Sequence, residues 1–185
     1  MSVRDEFMGL TRVELMGRLQ SGHAIAIDDI ADWEYRGISL GMPAFVDRLA
    51  WKTFLKAFHR DEAVGGVRGW NVRLEQHGID GPIELMEQAG QPIRFGHYRV
   101  ASLDGYVLPR PVPRGLMLDY GLGGNGAFDP TRFVRDPLVA LEDGSVERLL
   151  GWSYVDVAGL RLGTPSFFLL ERLRPLVDVV AAPGG

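Results

Sequence analysis

The chain contains no cysteine, which excludes disulfide bonds, thiolate metal sites and a cysteine nucleophile. Lysine is also scarce, because Lys52 and Lys56 are the only lysines among 20 basic residues. No apolar run approaches the about 20 residues that a membrane-spanning helix needs. The first residues also lack the positively charged and apolar regions of a signal peptide. These absences predict a soluble, cytoplasmic protein without a membrane partner.

The composition is otherwise that of a globular protein. Apolar residues make up 46% of the 185 residues and charged residues 24%, both close to the average for soluble domains. The net charge is −4, and the arginines are scattered among 24 acidic residues without forming a basic stripe. We therefore expect no nucleic-acid partner. A chain of this length is most simply one domain with a sizeable core.

Helical periodicity is confined to the start of the chain. Apolar residues recur at helical spacing over residues 3–20, which predicts one amphipathic helix or two short ones. Thr11 is suited to cap the second of these, with Glu14 completing a capping box. We expect residues 1–22 to form a helical segment that flanks the rest of the domain. The sequence leaves open whether this helix pairs with a second copy in a homodimer.

Alternating and short apolar segments dominate the remainder of the chain. Trp33, Tyr35, Gly37 and Ser39 share one face of the first predicted strand, where the glycine indicates a close backbone approach or a bend. Further strands are predicted at residues 67–76, 93–102, 115–120, 133–141, 149–157 and 160–173. No βαβ alternation is present. The pattern predicts a mainly β fold, an antiparallel barrel or sandwich over residues 28–173, with a C-terminal tail at 175–185.

Residues 43–58 fit a helix or a strand. Pro43 is suited to the first turn of a helix through this segment. The second half of the segment also alternates like a strand and matches the next predicted strand in length. Because Gly65-Gly66 between the two is a hairpin signal, we favour a strand that starts at Trp51.

Patterns for the common cofactors and metals are weak or missing. Residues 121–126 match G-x-G-x-x-G after a predicted strand, but that motif needs a helix whose N-terminus receives the pyrophosphate. Pro130 and Pro137 leave no room for such a helix. The four histidines never occur at metal-binding spacings, and no G-x-S-x-G motif is present. We expect neither a cofactor nor a metal ion.

Three side chains are the candidates for proton-transfer chemistry. His97 lies in the middle of a predicted strand, while Asp119 and Tyr120 end an apolar strand at the rim of the glycine-rich segment. A carboxylate at a pocket mouth can have a raised pKa and serve as a general acid or base. The alternative for this acid is an ion pair with Arg94, Arg114 or Arg135.

The two lysines also have two interpretations. On a strand, both would point to the same face as Phe54 and Phe58. A lysine buried among aromatic rings has a lowered pKa and can act as an amine nucleophile. We favour the ordinary alternative, in which Lys52 and Lys56 lie in solvent on the outer wall.

Aromatic side chains are more numerous than a minimal barrel core requires. Rings that carry a polar atom commonly line small-molecule pockets, although they also pack ordinary cores. The residues expected to contact a ligand are Trp33, Tyr35, Trp51, Phe54, Trp70, Tyr98 and Trp152.

Short motifs follow one another along the chain in a characteristic order. They are Trp-x-x-Arg-Gly from Trp33, Trp-Lys-x-Phe from Trp51, Gly-x-Asn-Val from Gly69, Leu-Asp-Tyr from Leu118, Arg-Asp from Arg135 and Leu-Leu-Gly-x-x-Tyr from Leu149. In this order they resemble the bacterial GXWXG-type, lipocalin-like proteins over residues 12–173. The chain departs from that pattern in lacking Gly-x-Trp-x-Gly and in its glycine-rich insertion. The resemblance implies a single antiparallel, lipocalin-like (calycin-like) β-barrel with an internal apolar cavity.

Two functions follow for such a barrel. The first is a binding module that holds a small hydrophobic molecule between the aromatic rings. The second is a cofactor-independent enzyme of the isomerase, cyclase or dehydratase type, in which Asp119, Tyr120 and His97 move protons on a small hydrophobic substrate. An enzyme requires a titratable group with a shifted pKa inside the cavity, whereas a carrier requires only apolar walls.

Overall fold

The structure, a computed structural model, describes residues 3–41 and 52–183. Helices α1 (Val3–Gly9), α2 (Arg12–Ser21) and α3 (Ile27–Ile30) come first. The strands that follow are β1 (Trp33–Leu40), β2 (Thr53–Asp61), β3 (Gly66–Arg73), β4 (Glu87–Gln88), β5 (Gln91–Pro92), β6 (Arg94–Ser102), β7 (Leu116–Asp119), β8 (Val134–Glu142), β9 (Ser145–Val157) and β10 (Leu160–Pro175). Short 3₁₀ helices lie at Glu62–Val64, Tyr120–Leu122 and Pro130–Phe133.

The N-terminal segment forms two helices that separate at Thr11. The Thr11 hydroxyl accepts a hydrogen bond from the Glu14 backbone N–H, and the Glu14 carboxylate accepts one from the Thr11 backbone N–H at 2.8 Å. This capping box satisfies backbone donors that the first helical turn otherwise leaves unpaired. Leu15, Met16 and Leu19 of α2 are buried against the outer wall of the sheet.

Eight strands close into a barrel in the order β1-β10-β9-β8-β7-β6-β3-β2. Apart from the separate β4-β5 ribbon, strands that follow one another in the chain are neighbours, and β10 pairs with β1 to complete the barrel. All of these pairings are antiparallel. The prediction of a mainly β fold with an antiparallel barrel is therefore confirmed.

Strand β2 shows that the later part of residues 43–58 forms a strand and not a helix. It starts at Thr53 and pairs with β3 in antiparallel fashion. Gly65 adopts a left-handed conformation (φ 66°) in the turn between these strands, which glycine does without strain. The predicted hairpin is thus confirmed. The helix predicted from Pro43 and the ligand contact predicted for Trp51 lie outside the described residues.

One end of the barrel is filled by an apolar core. Alternate residues of each strand point inward, and at this end they include Tyr35, Phe58 and Leu138, all buried. The chain before β1 adds Ile30, which has no exposed surface, to the same core. This closed end is where β1 begins and β2 ends. At the opposite end the inward residues do not fill the interior, and a cavity remains.

The outer wall carries two further apolar clusters. Trp152 and Phe167 pack with α2 on one side. Trp70 packs with Leu55 on another side, together with Val180 near the C-terminus. Burial of a large apolar side chain stabilises a fold by about 2 kcal/mol. Several of the aromatic residues therefore stabilise the fold from outside the barrel interior.

Candidate functional site

Lys56 lies inside the barrel, in the middle of β2. Phe54 and Phe58, two residues away on either side, also pack inside, as strand alternation requires. The expectation that Lys56 is a solvated residue of the outer wall is therefore wrong. The barrel closes on the face that carries the two phenylalanines, and alternation places the lysine on that same face.

The Lys56 ammonium group contacts three polar side chains from other parts of the barrel. Nζ donates hydrogen bonds to Asn71 Oδ1 at 2.9 Å and to the Tyr120 hydroxyl at 2.7 Å. Asp136 Oδ2 lies at 3.6 Å from Nζ and accepts a hydrogen bond from the Tyr120 hydroxyl at 3.0 Å. We call these four residues, Lys56, Asn71, Tyr120 and Asp136, the polar cluster.

The polar cluster spans the barrel. Strands β2 and β8 are four positions apart in the closed order of eight strands, which places them on opposite sides. Lys56 on β2 and Asp136 on β8 therefore meet across the interior. Their exposed fractions are only 1% and 2%, and buried charges persist in proteins when a partner of this kind is present.

Burial disfavours the charged form of each titratable member of the polar cluster. It lowers the pKa of Lys56 to about 8, although the Asp136 charge acts in the opposite direction. Burial raises the pKa of Asp136, against the effects of Lys56 and of the Ser153 and Tyr120 hydroxyls. It also raises the pKa of Tyr120 well above its ordinary value. Because the pKa values of Lys56 and Asp136 approach each other, moving a proton between them costs less than in water.

One carboxylate oxygen of the polar cluster lacks a regular hydrogen bond. Asp136 Oδ1 is buried and has no hydrogen-bond partner among the described residues, although the Ser153 hydroxyl is near enough to favour the charged carboxylate. A carboxylate oxygen has two lone pairs, so Oδ1 keeps acceptor capacity even where the Ser153 hydroxyl approaches it. It is therefore a position where a polar ligand atom gains free energy by binding.

Four aromatic rings surround the Lys56 ammonium group. The distances from Nζ to the ring centroids are 4.9 Å for Tyr98, 5.0 Å for Phe168, 5.2 Å for Tyr120 and 5.8 Å for Phe54. A cation at such a distance from an aromatic face is stabilised by roughly 1 kcal/mol. The rings thus favour a positive charge at Nζ while they present apolar surface to the interior.

Glycines on the inner wall make room for three of these rings. In each case the glycine lies directly opposite the ring-bearing residue on the neighbouring strand. A Cβ atom on the glycine would collide with the ring. The pairs are Gly37–Phe54, Gly69–Tyr98 and Gly151–Phe168. The close approach predicted for the first of these glycines is confirmed.

The polar cluster lies at the inner end of a cavity of about 230 Å³. The apolar part of the wall consists of Phe54, Phe95, Val134 and Phe168. Hydroxyl groups between them come from Ser39, Thr131, Ser153 and Ser166. Most wall residues are partly exposed, whereas the polar cluster is buried, so the cavity is reached from the end of the barrel opposite the closed core. Barrels of eight strands commonly hold one small ligand in such a space.

Tyr120 is the one predicted proton-transfer residue that lines this cavity. Asp119 lies on the other side of the wall, where its carboxylate forms an ion pair with Arg135 at 3.1 Å and accepts a hydrogen bond from the Tyr106 hydroxyl at 2.8 Å. Asp119 alternates on β7 with Leu118, which packs in the interior, and this alternation keeps the acid out of the interior. The ion-pair alternative with Arg135 is confirmed.

His97 also points away from the cavity. Its ring centroid lies 6.2 Å from that of Trp70 on the outer wall, and burial lowers its pKa. Its backbone N–H donates a hydrogen bond to Asn125 Oδ1 at 2.9 Å, which attaches the glycine-rich segment to β6. The structure therefore does not bring His97 together with Tyr120.

The predicted ligand-contact residues occupy different parts of the molecule. Phe54 lines the cavity. Tyr98 lies beside the polar cluster, and its hydroxyl donates to the Ala57 carbonyl at 2.8 Å. Both belong to the site, because their rings face Nζ of Lys56.

The other described aromatic candidates lie away from the cavity. Tyr35 belongs to the closed-end core, where its hydroxyl donates to the Val146 carbonyl at 3.0 Å, and Trp33 packs against that core. Trp70 and Trp152 lie on the outer wall. The sequence pattern indicates that these rings are buried, but it does not indicate on which side of the wall.

The sequence does not predict Lys56, Asn71 and Asp136 as site residues. A signal was present for two of them, because each alternates in phase with apolar residues that face the interior. For the lysine these are two phenylalanines, and for the acid they are Val134 and Leu138. Asn71 belongs to the Gly-x-Asn-Val motif, but its alternation with Gly69 does not indicate a buried face.

No group of three or more His, Asp and Glu side chains in the described part of the chain is arranged to hold a metal ion. Across residues 3–41 and 52–183, no helix has the length and apolar character needed to cross a membrane. No family model, curated protein or solved structure matches the chain.

Proposed function

We propose that the protein binds a small hydrophobic molecule in the interior of the barrel. The observation that supports this proposal is the cavity opposite the closed core, whose walls combine aromatic and aliphatic side chains with a few polar groups. Its volume of about 230 Å³ corresponds to about eight water molecules at roughly 30 Å³ each. This space suits a ligand built on one aromatic ring or a short aliphatic chain.

The apolar surface that such a ligand removes from water sets the expected affinity. Burial of about 200 Å² contributes roughly 5 kcal/mol, which corresponds to a Kd of the order of 0.1–1 mM. Hydrogen bonds to the wall hydroxyls or to the polar cluster would strengthen binding beyond this value.

Filling the cavity tests the proposal. Ser153 lies on β9 and lines the cavity, so Ser153→Phe places a ring in the space that the ligand needs. Cuminyl alcohol, an aromatic alcohol of suitable size, is titrated into the protein and followed by calorimetry. We expect the Kd of Ser153→Phe to exceed that of the unchanged protein about tenfold or more.

Val13→Phe is the control for this experiment. Val13 lies on α2 and is 82% exposed, so a phenylalanine there adds the same group outside the cavity. Both variants should keep the circular dichroism spectrum of the barrel. If Ser153→Phe bound cuminyl alcohol as tightly as Val13→Phe, the ligand would have to lie elsewhere.

A cofactor-independent acid/base enzyme is the second candidate function. The polar cluster favours it, since Lys56 and Asp136 are titratable groups with shifted pKa values that line the cavity. In this candidate, Tyr120 and Asp136 move protons on a small hydrophobic substrate, and Asp119 and His97 take no part. The reaction would be an isomerisation, a cyclisation or a dehydration.

Native mass spectrometry of the protein purified from its own host, followed by chromatography of the released molecules, separates the two candidates. A single unmodified ligand supports binding. A mixture of a substrate and its isomer or dehydrated product supports catalysis. If such a mixture is found, the Asp136→Asn variant should co-purify with the substrate and without the product.

We also propose a relationship to the bacterial GXWXG-type, lipocalin-like proteins. The placement of the motif residues supports it. Asn71 of Gly-x-Asn-Val, Tyr120 of Leu-Asp-Tyr and Asp136 of Arg-Asp belong to the polar cluster. Gly151 of Leu-Leu-Gly-x-x-Tyr lies against the Phe168 ring. Motifs that are far apart in the chain thus meet at one cavity.

A further inference from the structure

We propose that the ligand carries an aldehyde or ketone carbonyl group, which Lys56 captures as an imine inside the cavity. This inference rests on the proposed function, since the carbonyl compound must enter the same cavity. It goes further by naming the reactive group of the ligand and the atom that binds it. Three features support it, namely the charge balance of the polar cluster, the hydrogen bonds of the lysine and a proton path to Asp136.

The polar cluster is already electrically balanced. Lys56 and Asp136 are opposite charges 3.6 Å apart at the inner end of the cavity. A ligand carboxylate would lie beside Asp136, and a ligand ammonium group would lie beside Lys56. Either would bring a like charge into a buried site, at a high cost in free energy. A neutral polar group avoids this cost, and a carbonyl is the neutral group that reacts with an amine.

The hydrogen bonds of Lys56 leave one position on the nitrogen for a reaction. A neutral amine has two hydrogens, and Nζ has two close acceptors, Asn71 Oδ1 at 2.9 Å and the Tyr120 hydroxyl at 2.7 Å. The third neighbour, Asp136 Oδ2 at 3.6 Å, is beyond ordinary hydrogen-bond distance. Loss of the third proton therefore keeps both close hydrogen bonds and frees a lone pair for attack on a carbonyl carbon.

The Tyr120 hydroxyl connects the lysine to the acid. It accepts a hydrogen bond from Nζ and donates one to Asp136 Oδ2 at 3.0 Å. The proton of Nζ that is donated to neither Asn71 nor Tyr120 can pass to Asp136 Oδ2, which lies at 3.6 Å, when the two groups approach, and the Tyr120 hydroxyl keeps both of its hydrogen bonds. Burial lowers the pKa of Lys56 to about 8 and raises the pKa of Asp136. The lowered pKa of Lys56 favours the neutral amine, and the raised pKa of Asp136 favours the neutral acid.

The atoms and charges of the reaction balance. Nζ forms a bond to the carbonyl carbon, the π electrons of the carbonyl move to its oxygen, and that oxygen takes one proton from Nζ. Protonated Asp136 then supplies a second proton, the C–O bond breaks, and the oxygen leaves as water. The nitrogen lone pair forms the C=N bond. The product is an iminium ion that keeps one hydrogen on Nζ and is paired with the Asp136 carboxylate.

The surroundings of Nζ suit this product. The iminium ion has the same charge and position as the ammonium group, so the four rings at 4.9–5.8 Å remain its neighbours. Asp136 Oδ1, which is buried without a hydrogen-bond partner among the described residues, can bind the hydroxyl of the intermediate. Apolar walls limit the access of the water that hydrolyses imines.

Reductive trapping tests this inference. Cuminaldehyde is added to the whole protein with sodium cyanoborohydride, which reduces an imine to a stable secondary amine, and labelled peptides are identified by mass spectrometry. Because Lys52 and Lys56 are the only lysines, they and the N-terminal amine are the only primary amines that can be labelled. We expect labelling at Lys56 to exceed labelling at Lys52 about tenfold or more, since the cavity holds the aldehyde next to Nζ.

Lys56→Met and Lys52→Met are the matched variants. The first should lose the dominant label, and the second should keep it. Methionine is apolar and of similar length, so it suits the buried position. The circular dichroism spectrum and denaturant unfolding of Lys56→Met, compared with those of the unchanged protein, check that this variant keeps the folded barrel.

The outcomes distinguish this inference from the proposed function. Binding of cuminyl alcohol without a label at Lys56 would overturn the imine and leave the binding function intact. Equal labelling of Lys52 and Lys56 would overturn it as well, since general amine reactivity would then explain both labels. If the folded protein bound neither cuminyl alcohol nor cuminaldehyde, both proposals would be wrong.

Discussion

Each polar partner of Lys56 contributes a different property to the cavity. Asn71 accepts from Nζ through Oδ1, and its Nδ2 donates to the Gly96 carbonyl at 3.1 Å, which holds the amide oxygen towards the amine. Tyr120 supplies a hydroxyl that both accepts and donates. Asp136 supplies the opposite charge. Together they keep a reactive amine in one orientation inside an apolar interior.

We expect the Lys56 amine to titrate at a pH of about 8, because burial lowers its pKa. Reductive methylation with ¹³C-labelled formaldehyde gives NMR signals from both lysines, and the Lys52→Met variant shows which signal belongs to Lys56. Asp136→Asn should move the midpoint lower still, since it removes the opposite charge. A midpoint at the ordinary lysine value of about 10.4 would show that the amine is solvated.

Pairs of a glycine and an aromatic residue on neighbouring strands shape the barrel interior. They occur between β1 and β2, between β3 and β6, and between β9 and β10. Each pair lets a ring lie against the backbone of the adjacent strand, where a larger residue would push it into the cavity. The space around Nζ of Lys56 therefore depends on positions that carry no side chain.

Gly151→Ala tests this arrangement. The added methyl group collides with the Phe168 ring, so we expect a loss of about 1–3 kcal/mol in the free energy of unfolding and weaker binding of cuminyl alcohol. Denaturant unfolding and calorimetry measure the two effects.

Gly17→Ala provides the control for the same chemical change. Gly17 lies in α2 with nothing within 4 Å of an added Cβ, and alanine favours a helix over glycine by about 1 kcal/mol. This variant should be as stable as the unchanged protein or more so. Equal stabilities of Gly17→Ala and Gly151→Ala would mean that the Phe168 ring adjusts without cost.

Burial of the polar cluster lowers the stability of the folded protein below pH 8. The pKa of Lys56 is about 8 in the folded chain and about 10.4 in an unfolded one. Between these values the unfolded chain binds more protons, so the free energy of unfolding rises with pH in this window. The cost of burying the ammonium group is fully present below pH 8 and disappears as the pH approaches 10.4.

Replacing the ion pair by apolar residues should therefore stabilise the barrel. We expect Lys56→Met combined with Asp136→Leu to raise the free energy of unfolding at pH 7 by about 1–4 kcal/mol and to remove the rise between pH 8 and 10.4. Guanidinium unfolding at a series of pH values measures both effects. Asp136→Leu alone should destabilise, because it leaves the ammonium group without its counter-charge. A double variant less stable than the unchanged protein would contradict this balance.

The sequence predicts most of the barrel strands and the residues that share a face of each one, whereas it leaves β2 open between helix and strand and does not predict the β4-β5 ribbon. The hairpin at Gly65, the capping box at Thr11 and the common face of Tyr35 and Gly37 are local features, so short patterns suffice to predict them. The alternation of Lys56 with its phenylalanine neighbours was equally visible. This alternation does not by itself predict that a lysine lies in the barrel interior.

Closure of the barrel determines which face of each strand is the interior and which distant residues meet there. Lys56 and Asp136 are 80 positions apart in the chain and lie on strands at opposite sides of the barrel, so no local pattern relates them. Closure of the sheet brings them together, and the burial of many apolar residues outweighs the cost of enclosing one ion pair. The same closure turns Asp119 outward to Arg135, because it alternates on β7 with the inward Leu118, and leaves Tyr120, the first residue of the following 3₁₀ helix, inside.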